Sequence, residues 1–95
     1  MEFEWDPDKA AANAKKHGVD FSEAMTVFAD PLELTIADPD HSAEEHRFLS
    51  NGLSVAGRLL VVAYTERSDR TRIINAREAS SQERKSYEST NPATR

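Results

Sequence analysis

Hydrophobic and polar positions change period several times along this chain, and each change marks a new element. Phe3 and Trp5 alternate with acidic residues, the two-residue period of a short strand. An alanine-rich run follows, and its ends are punctuated. Asp6 suits an N-cap, Pro7 the first helical position and Asp8 the positive end of the helix dipole. Lys15, Lys16 and His17 suit the negative end, and Gly18 is a natural left-handed stop. The pattern predicts a helix over Pro7 to His17, with Trp5 stapled onto Ala10. Asp20-Phe21-Ser22-Glu23 has the spacing of a capping box, with Glu23 reaching back to the cap amide. Phe21, Ala24, Met25 and Phe28 then form one helical stripe, expected to end at Asp30-Pro31.

Strand periods take over in the middle of the chain. Leu32 to Ala37 reads as a strand, and residues 38–42 as a turn or exposed loop. Glu45 to Leu53 is the next strand, with Phe48 facing away from Arg47 and Leu49. Val55-Ala56-Gly57 makes a hairpin connection into Arg58 to Thr65, an apolar strand expected at the sheet centre. A turn at Glu66 to Asp69 leads into a last strand, Arg70 to Arg77. There Ile74 and Ala76 are expected to face the core, with Ile73, Asn75 and Arg77 on the opposite side. Connections this short imply antiparallel pairing, because parallel neighbours need long crossovers. Ser80-Ser81-Gln82-Glu83 repeats the capping-box spacing, and the helix it opens runs to about Glu88. Tyr87 is its one large apolar residue, which leaves open what holds this helix to the core. The pattern predicts a single α+β domain over residues 1–90, with a flexible tail at 91–95.

Composition narrows the function classes. The 95 residues are 38% hydrophobic and 31% charged, a globular balance. The longest apolar run, Leu59 to Tyr64, suits a strand and is far short of a membrane span. The acidic N-terminus lacks the basic start and apolar middle of a secretory signal, so a cytoplasmic location is expected. The absence of cysteine removes disulfide, zinc-thiolate and thiol-nucleophile chemistry together. Net charge is −5, yet it is unevenly spread. Residues 1–47 carry four basic groups against twelve acids, and residues 48–95 carry eight against five. A local basic surface beside an acidic one follows from that asymmetry.

The candidate chemistry lies in the arginines. No glycine-rich phosphate loop is present, and His17, His41 and His46 fall in three different elements. Asp38, Asp40 and His41 imitate a metal loop, but aspartate and proline serve turns for backbone reasons alone; no metal or cofactor is expected. Arg77 is expected on the open face of the sheet, with Glu45 and Arg47 on the same side. Arg84 and Tyr87 share a helical face that overhangs it. Guanidinium groups grip phosphate through paired hydrogen bonds and stay charged, and tyrosine adds a stacking surface. The plainer alternative is that Arg47, Arg77 and Arg84 form ion pairs with Glu45, Glu78 and Glu83.

Taken in order, several segments resemble BrnT-type toxins. They are Glu4-Trp5-Asp6-Pro7, Lys16-His17-Gly18-Val19-Asp20-Phe21, Glu23-Ala24 and Asp38-Pro39-Asp40. Arg47, Leu60-Val61-Val62 through Thr65, Arg72-Ile73-Ile74-Asn75-Ala76-Arg77 and Glu83-Arg84 with Tyr87 continue the match. The likeness spans nearly the whole chain, with Asn75 standing where the family usually has serine. It implies a RelE-like fold, with two N-terminal helices packed on one face of an antiparallel sheet and a short C-terminal helix. It implies a metal-independent endoribonuclease of a type II toxin–antitoxin pair, which activates a ribose 2′-hydroxyl against the adjacent phosphate. A BrnA-like antitoxin would neutralise it, and operator DNA would be met only through that partner. In this reading Arg77 stabilises the phosphate with Arg47 and Arg72 in support, and Arg84 and Tyr87 position RNA or assist the leaving oxygen. Glu45 and His46 are candidates for the base, and strand parity favours Glu45. Lys16, His17 and Gly18 match the family strongly; helix termination accounts for them, with a catalytic role as the lesser alternative. Two other readings compete: a non-catalytic module whose arginines hold an acidic partner, and a direct DNA binder, which net acidity and the lack of a recognition helix disfavour.

Overall fold

The computed structural model describes residues 2–40 and 46–90. Strand β1 (Glu2–Glu4) precedes helix α1 (Pro7–His17) and helix α2 (Phe21–Ala24), which tightens into a 3-10 segment, Met25–Ala29. Strands β2 (Leu34–Ala37), β3 (Arg47–Leu53), β4 (Leu59–Arg67) and β5 (Arg70–Glu78) follow, and helix α3 (Ser81–Thr90) comes last. The five strands form one sheet in the order β1-β5-β4-β3-β2. An α+β architecture is what the sequence pattern predicts. The expectation of purely antiparallel pairing needs correction, because β1 runs parallel to β5, Glu2 to Glu4 against Arg70 to Arg72. Short connections do not constrain this pair, since most of the domain lies between the two strands.

Local chemistry explains the first helix. The Asp6 carboxylate accepts from the Asp8 N–H at 2.8 Å, and Pro7 opens the helix. Gly18 closes it at φ 68°, a left-handed conformation that glycine adopts without steric cost. The second helix departs from expectation. Asp20 makes no side-chain cap, and Glu23 turns instead to Arg58, at 2.6 and 3.0 Å, and to the Ser54 hydroxyl. A guanidinium offers a carboxylate two charge-assisted bonds where the cap amide offers one. Tightening to 3-10 also shifts the buried stripe to Phe21, Ala24 and Val27, a three-residue period that leaves Met25 exposed.

The core joins Val19, Phe21, Ala24 and Val27 to Leu60, Val62, Ile73 and Ala76 of the sheet. Trp5 meets the Phe21 ring edge-on, and Phe28 does the same against Tyr64. Gly52 lets β3 approach this layer, since a Cβ there would sit 3.0 Å from Val27 Cγ1 and 3.1 Å from Glu33 Cβ. The expected facing of β5 is corrected by a bulge. Tyr64 pairs with Ile73 and Ala63 with Asn75, so Ile74 has no partner across the ladder. The extra residue re-phases the strand: Ile73 and Ala76 are buried together, and Ile74 is only half-buried.

The bulge leaves a backbone problem that Asn13 solves. Pairing with β1 covers β5 only as far as Arg72, so the outer edge is unpaired beyond it. There the Asn13 Nδ2 donates to the Ala76 carbonyl at 2.8 Å, and its Oδ1 accepts from the Ala76 N–H at 3.1 Å. The same amide nitrogen donates to the Val19 carbonyl at 3.0 Å. One buried side chain thus plays the part of a neighbouring strand and locks α1 against β5.

Helix α3 is held mainly by polar contacts. Its capping box forms as expected: Ser80 N–H donates to Glu83 at 2.8 Å and Glu83 N–H to the Ser80 hydroxyl at 3.2 Å. Asn51 donates to the Glu83 carbonyl at 2.9 Å, and the Tyr87 hydroxyl donates to Asp30 at 2.6 Å. Tyr87 itself is buried. The tail at 91–95 lies outside the described residues. Asn13→Ala is expected to destabilise the domain by about 3 kcal/mol in urea denaturation, because three buried polar groups lose their partner. A loss below about 0.5 kcal/mol would mean that water satisfies this edge instead.

Candidate nucleic-acid interface

Strand register sorts the arginines. Arg47, Thr65 and Arg72 lie in one row across β3, β4 and β5, on the sheet face away from Ile73 and Ala76. Two strand spacings separate the outer members by about 10 Å between backbones. Arg77 shares that face but pairs with Val61, four residues from Thr65, about 13 Å further along the strands. The structure therefore brings Arg47 and Arg72 together and sets Arg77 apart. The Thr65 hydroxyl, buried in the row between the two arginines, has no hydrogen-bond partner among the described residues.

Ion pairs occupy several of these groups. Arg72 donates to Glu4 at 3.1 Å, and Arg70 reaches the same carboxylate at 3.5 Å. The hydrogen bond from Arg72, with help from Arg70, keeps the Glu4 carboxyl below its ordinary value despite partial desolvation. Arg77 grips Glu83 through both ends of its guanidinium, at 2.7 and 2.9 Å. Val61 pairs with Arg77 on one side and Asn51 on the other, so Glu83 is clasped from two strands: Asn51 takes its carbonyl and Arg77 its carboxylate. An ion pair at Arg77 is expected if the arginines serve structure alone, but its partner is Glu83 rather than Glu78, which lies nearer Arg58. The pair also has the planar, two-oxygen geometry in which a guanidinium holds a phosphate.

The remaining sequence candidates divide. Arg84 is exposed on α3, and His46 is exposed just before β3. Glu45 and His41 lie outside the described residues. Tyr87 is 2% exposed, and burial together with the bond to Asp30 pushes its hydroxyl up to about 12. Burial alone would raise the Asp30 carboxyl, but bonds from Tyr87, Leu53 and Leu32 outweigh it and hold the group low. That network ties α3 to the segment after α2.

A second basic feature lies beside these arginines. An open groove of about 410 Å³ runs along the bulged edge of β5, bordered by Lys9, Lys16, His17, Asn75 and Arg77. Lys9, Asn13 and Lys16 fall on one stripe of α1, and Asn13 is the residue that fixes that stripe to β5. The spacing was present in the sequence, but the helix dipole already accounted for Lys16 and His17, and Lys9 belonged to no motif.

The Arg77–Glu83 pair has a pH signature. The hydrogen bond from Arg77 outweighs desolvation and lowers the Glu83 carboxyl from 4.5 to about 2. A depressed carboxyl stabilises the fold above its unfolded value, and that contribution is lost as pH falls from about 4.5 towards 2. The urea midpoint of the wild type is expected to drop across this window, and that of Glu83→Gln to drop less. Equal slopes for the two proteins would remove Glu83 from the acid response.

Residues 5–83 match the family model described as the ribonuclease toxin BrnT of type II toxin–antitoxin systems. No curated protein sequence matches the chain significantly. Among solved structures, the fold is similar to the 1.1 Å crystal structure of the Brucella abortus ribonuclease toxin BrnT, with a TM-score of 0.62 and 23% identity. The alignment covers 84% of this chain and 97% of that one. With a five-stranded sheet, three helices and a family match over most of its length, the chain belongs to the BrnT ribonuclease toxins of type II toxin–antitoxin systems.

Proposed function

We propose that this protein is a cytoplasmic endoribonuclease toxin that cleaves RNA without a metal ion and is neutralised by a BrnA-like antitoxin. The observation that carries this reading is Arg77, whose guanidinium holds two oxygens of one anion beside a basic groove. In the reaction a base takes the proton from the ribose 2′-hydroxyl and the O2′–P bond forms. The P–O5′ bond then breaks as the leaving oxygen gains a proton. Negative charge gathers on the phosphate, and a fixed guanidinium is suited to stabilise it without reorganising. Arg77 takes that role once Glu83 yields its place to the substrate. Arg47 and Arg72 extend the positive face, Arg84 contacts RNA from α3, and Tyr87 acts from behind by seating that helix. Glu45 remains the candidate base. Glu83 is a poor one, because a carboxyl lowered to about 2 holds a proton weakly.

The antitoxin is the protein partner, and operator DNA is met only through it. A second reading has one observation behind it: Arg77 already holds a carboxylate, so an acidic segment of a partner could take the same seat without any cleavage. The two readings separate in one assay. The purified toxin is expected to cut RNA in excess EDTA, leaving 2′,3′-cyclic phosphate ends, and to arrest growth when expressed without its partner. Arg77→Ala is expected to slow cleavage by about 100-fold or more. Wild-type rates in that variant would remove Arg77 from the site, and tight partner binding with no cleavage would favour the acidic-ligand reading.

A further inference from the structure

We infer that the groove between α1 and the bulged edge of β5 binds the phosphodiester backbone of the RNA, with Lys9 and Lys16 as its principal contacts. The inference rests on the reading that RNA is the substrate, and it assigns a binding site to helix α1, which otherwise shows only structural roles. Three features of the groove support it.

The first is charge. The chain is net acidic, and its first 47 residues carry twelve acids against four basic groups. Yet Lys9, Lys16 and Arg77 border this one groove with His17, and no carboxylate lines it. Among the described residues no ion pair joins Lys9 or Lys16 to an acid, unlike Arg58, Arg70, Arg72 and Arg77. Unneutralised ammonium groups around a concavity raise its potential and draw a polyanion.

The second is rigidity. Lys9 and Lys16 are four residues before and three after Asn13, on the same stripe of α1. The buried Asn13 amide is bonded to both the N–H and the carbonyl of Ala76. The helix can neither slide nor roll along the edge without breaking those bonds, so the two lysine stems start from fixed points. Seven residues of helix separate them by about 10 Å along the axis, enough to meet different phosphates of one strand.

The third is continuity with the reaction site. Arg77 borders the groove and also holds Glu83, so a strand lying along α1 arrives where a phosphate can compete for that guanidinium. Asn75 and His17 add polar side chains on the same path. The bulge at Ile74 is what places Asn75 and Arg77 beside the groove while Ile73 and Ala76 stay buried.

The test uses the whole chain and a short single-stranded 2′-O-methyl RNA, whose blocked 2′ position prevents cleavage. Fluorescence anisotropy across a salt series reads the number of phosphate contacts as the slope of log affinity against log salt. The Lys9→Gln/Lys16→Gln double variant is expected to bind more weakly, with a slope shallower by about 1.4, as two lost contacts on a single strand require. The control is Lys15→Gln/Lys85→Gln, which removes the same charge from exposed positions outside the groove and is expected to keep the wild-type slope. Equal slope changes in both double variants, or none in the groove variant, would overturn the inference. If the wild type cuts RNA but the groove variant keeps the wild-type slope, the groove fails and the nuclease reading stands. If the wild type binds the blocked RNA through the groove but cuts no RNA, the nuclease reading fails and the groove stands.

Discussion

The buried amide of Asn13 is the constraint on which the arrangement of this molecule depends. An unpaired sheet edge inside a fold is unstable unless something satisfies its backbone groups, and β5 has such an edge beyond Arg72. A longer β1 would have covered it and closed the groove. Pairing the edge through one side chain instead satisfies Ala76 while leaving room on either side of the contact. The same contact sets the distance and rotation of α1 relative to β5. Every residue along the groove therefore inherits its position from one hydrogen-bonded amide, reinforced by the apolar contacts of Val19 and Phe21 below it.

Helix α3 is docked by a different logic. It has too little apolar surface to bury, and Tyr87 alone reaches into a covered position. Its hold comes from Glu83, which closes its own capping box, takes the Arg77 guanidinium and offers its carbonyl to Asn51. A helix fastened by charge and hydrogen bonds is sensitive to anything that competes for those charges, in a way that an apolar seam is not. A phosphate would offer Arg77 the same two-oxygen geometry that Glu83 now provides, so in the proposed reaction Glu83 is a stand-in for that anion as well as a fastening. Exchange between the two proceeds only as far as the difference in their affinity allows.

Much of this was legible in the sequence where the signal is local. The ends of α1 follow from Asp6, Pro7 and Gly18, and the cap of α3 from Ser80 and Glu83, because caps are decided within four residues. The common face of Arg47 and Arg77 follows from strand parity within each strand. What was hidden depended on residues far apart in the chain. Glu23 has capping-box spacing, yet Arg58, 35 residues later, offers it a better partner. No glycine or proline marks the bulge at Ile74, so parity carried along β5 placed Ile73 on the wrong face. Asn13 looks like one polar residue in an alanine-rich helix, and only the tertiary fold shows that the sheet edge beside it lacks a strand. The groove was hidden for a related reason. A helix dipole explains lysine and histidine in a last turn so completely that no further role is called for until the edge of β5 is seen to lie against them.

For an acidic protein the proposed RNA substrate poses a problem of repulsion, and the distribution of ion pairs here is one solution. Acids in the first half of the chain engage arginines of the second half: Glu4 with Arg70 and Arg72, Glu23 with Arg58. Those pairs neutralise charge across the fold and fasten distant segments together. Among the described residues the lysines of α1 take no part in the exchange, and the Asn13 contact turns the stripe of Lys9 and Lys16 towards β5. Arginine is suited to the paired role because its planar fork holds a carboxylate in fixed geometry, whereas a lysine ammonium is a compact, mobile charge. The division of labour follows from that difference. The paired guanidinium groups of Arg58, Arg70 and Arg72 hold the protein's own anions in place, while the ammonium groups of α1 would stay available to a ligand whose phosphates arrive in varied positions. Arg77 stands in both sets, because it holds Glu83 through both ends of its guanidinium and also borders the groove.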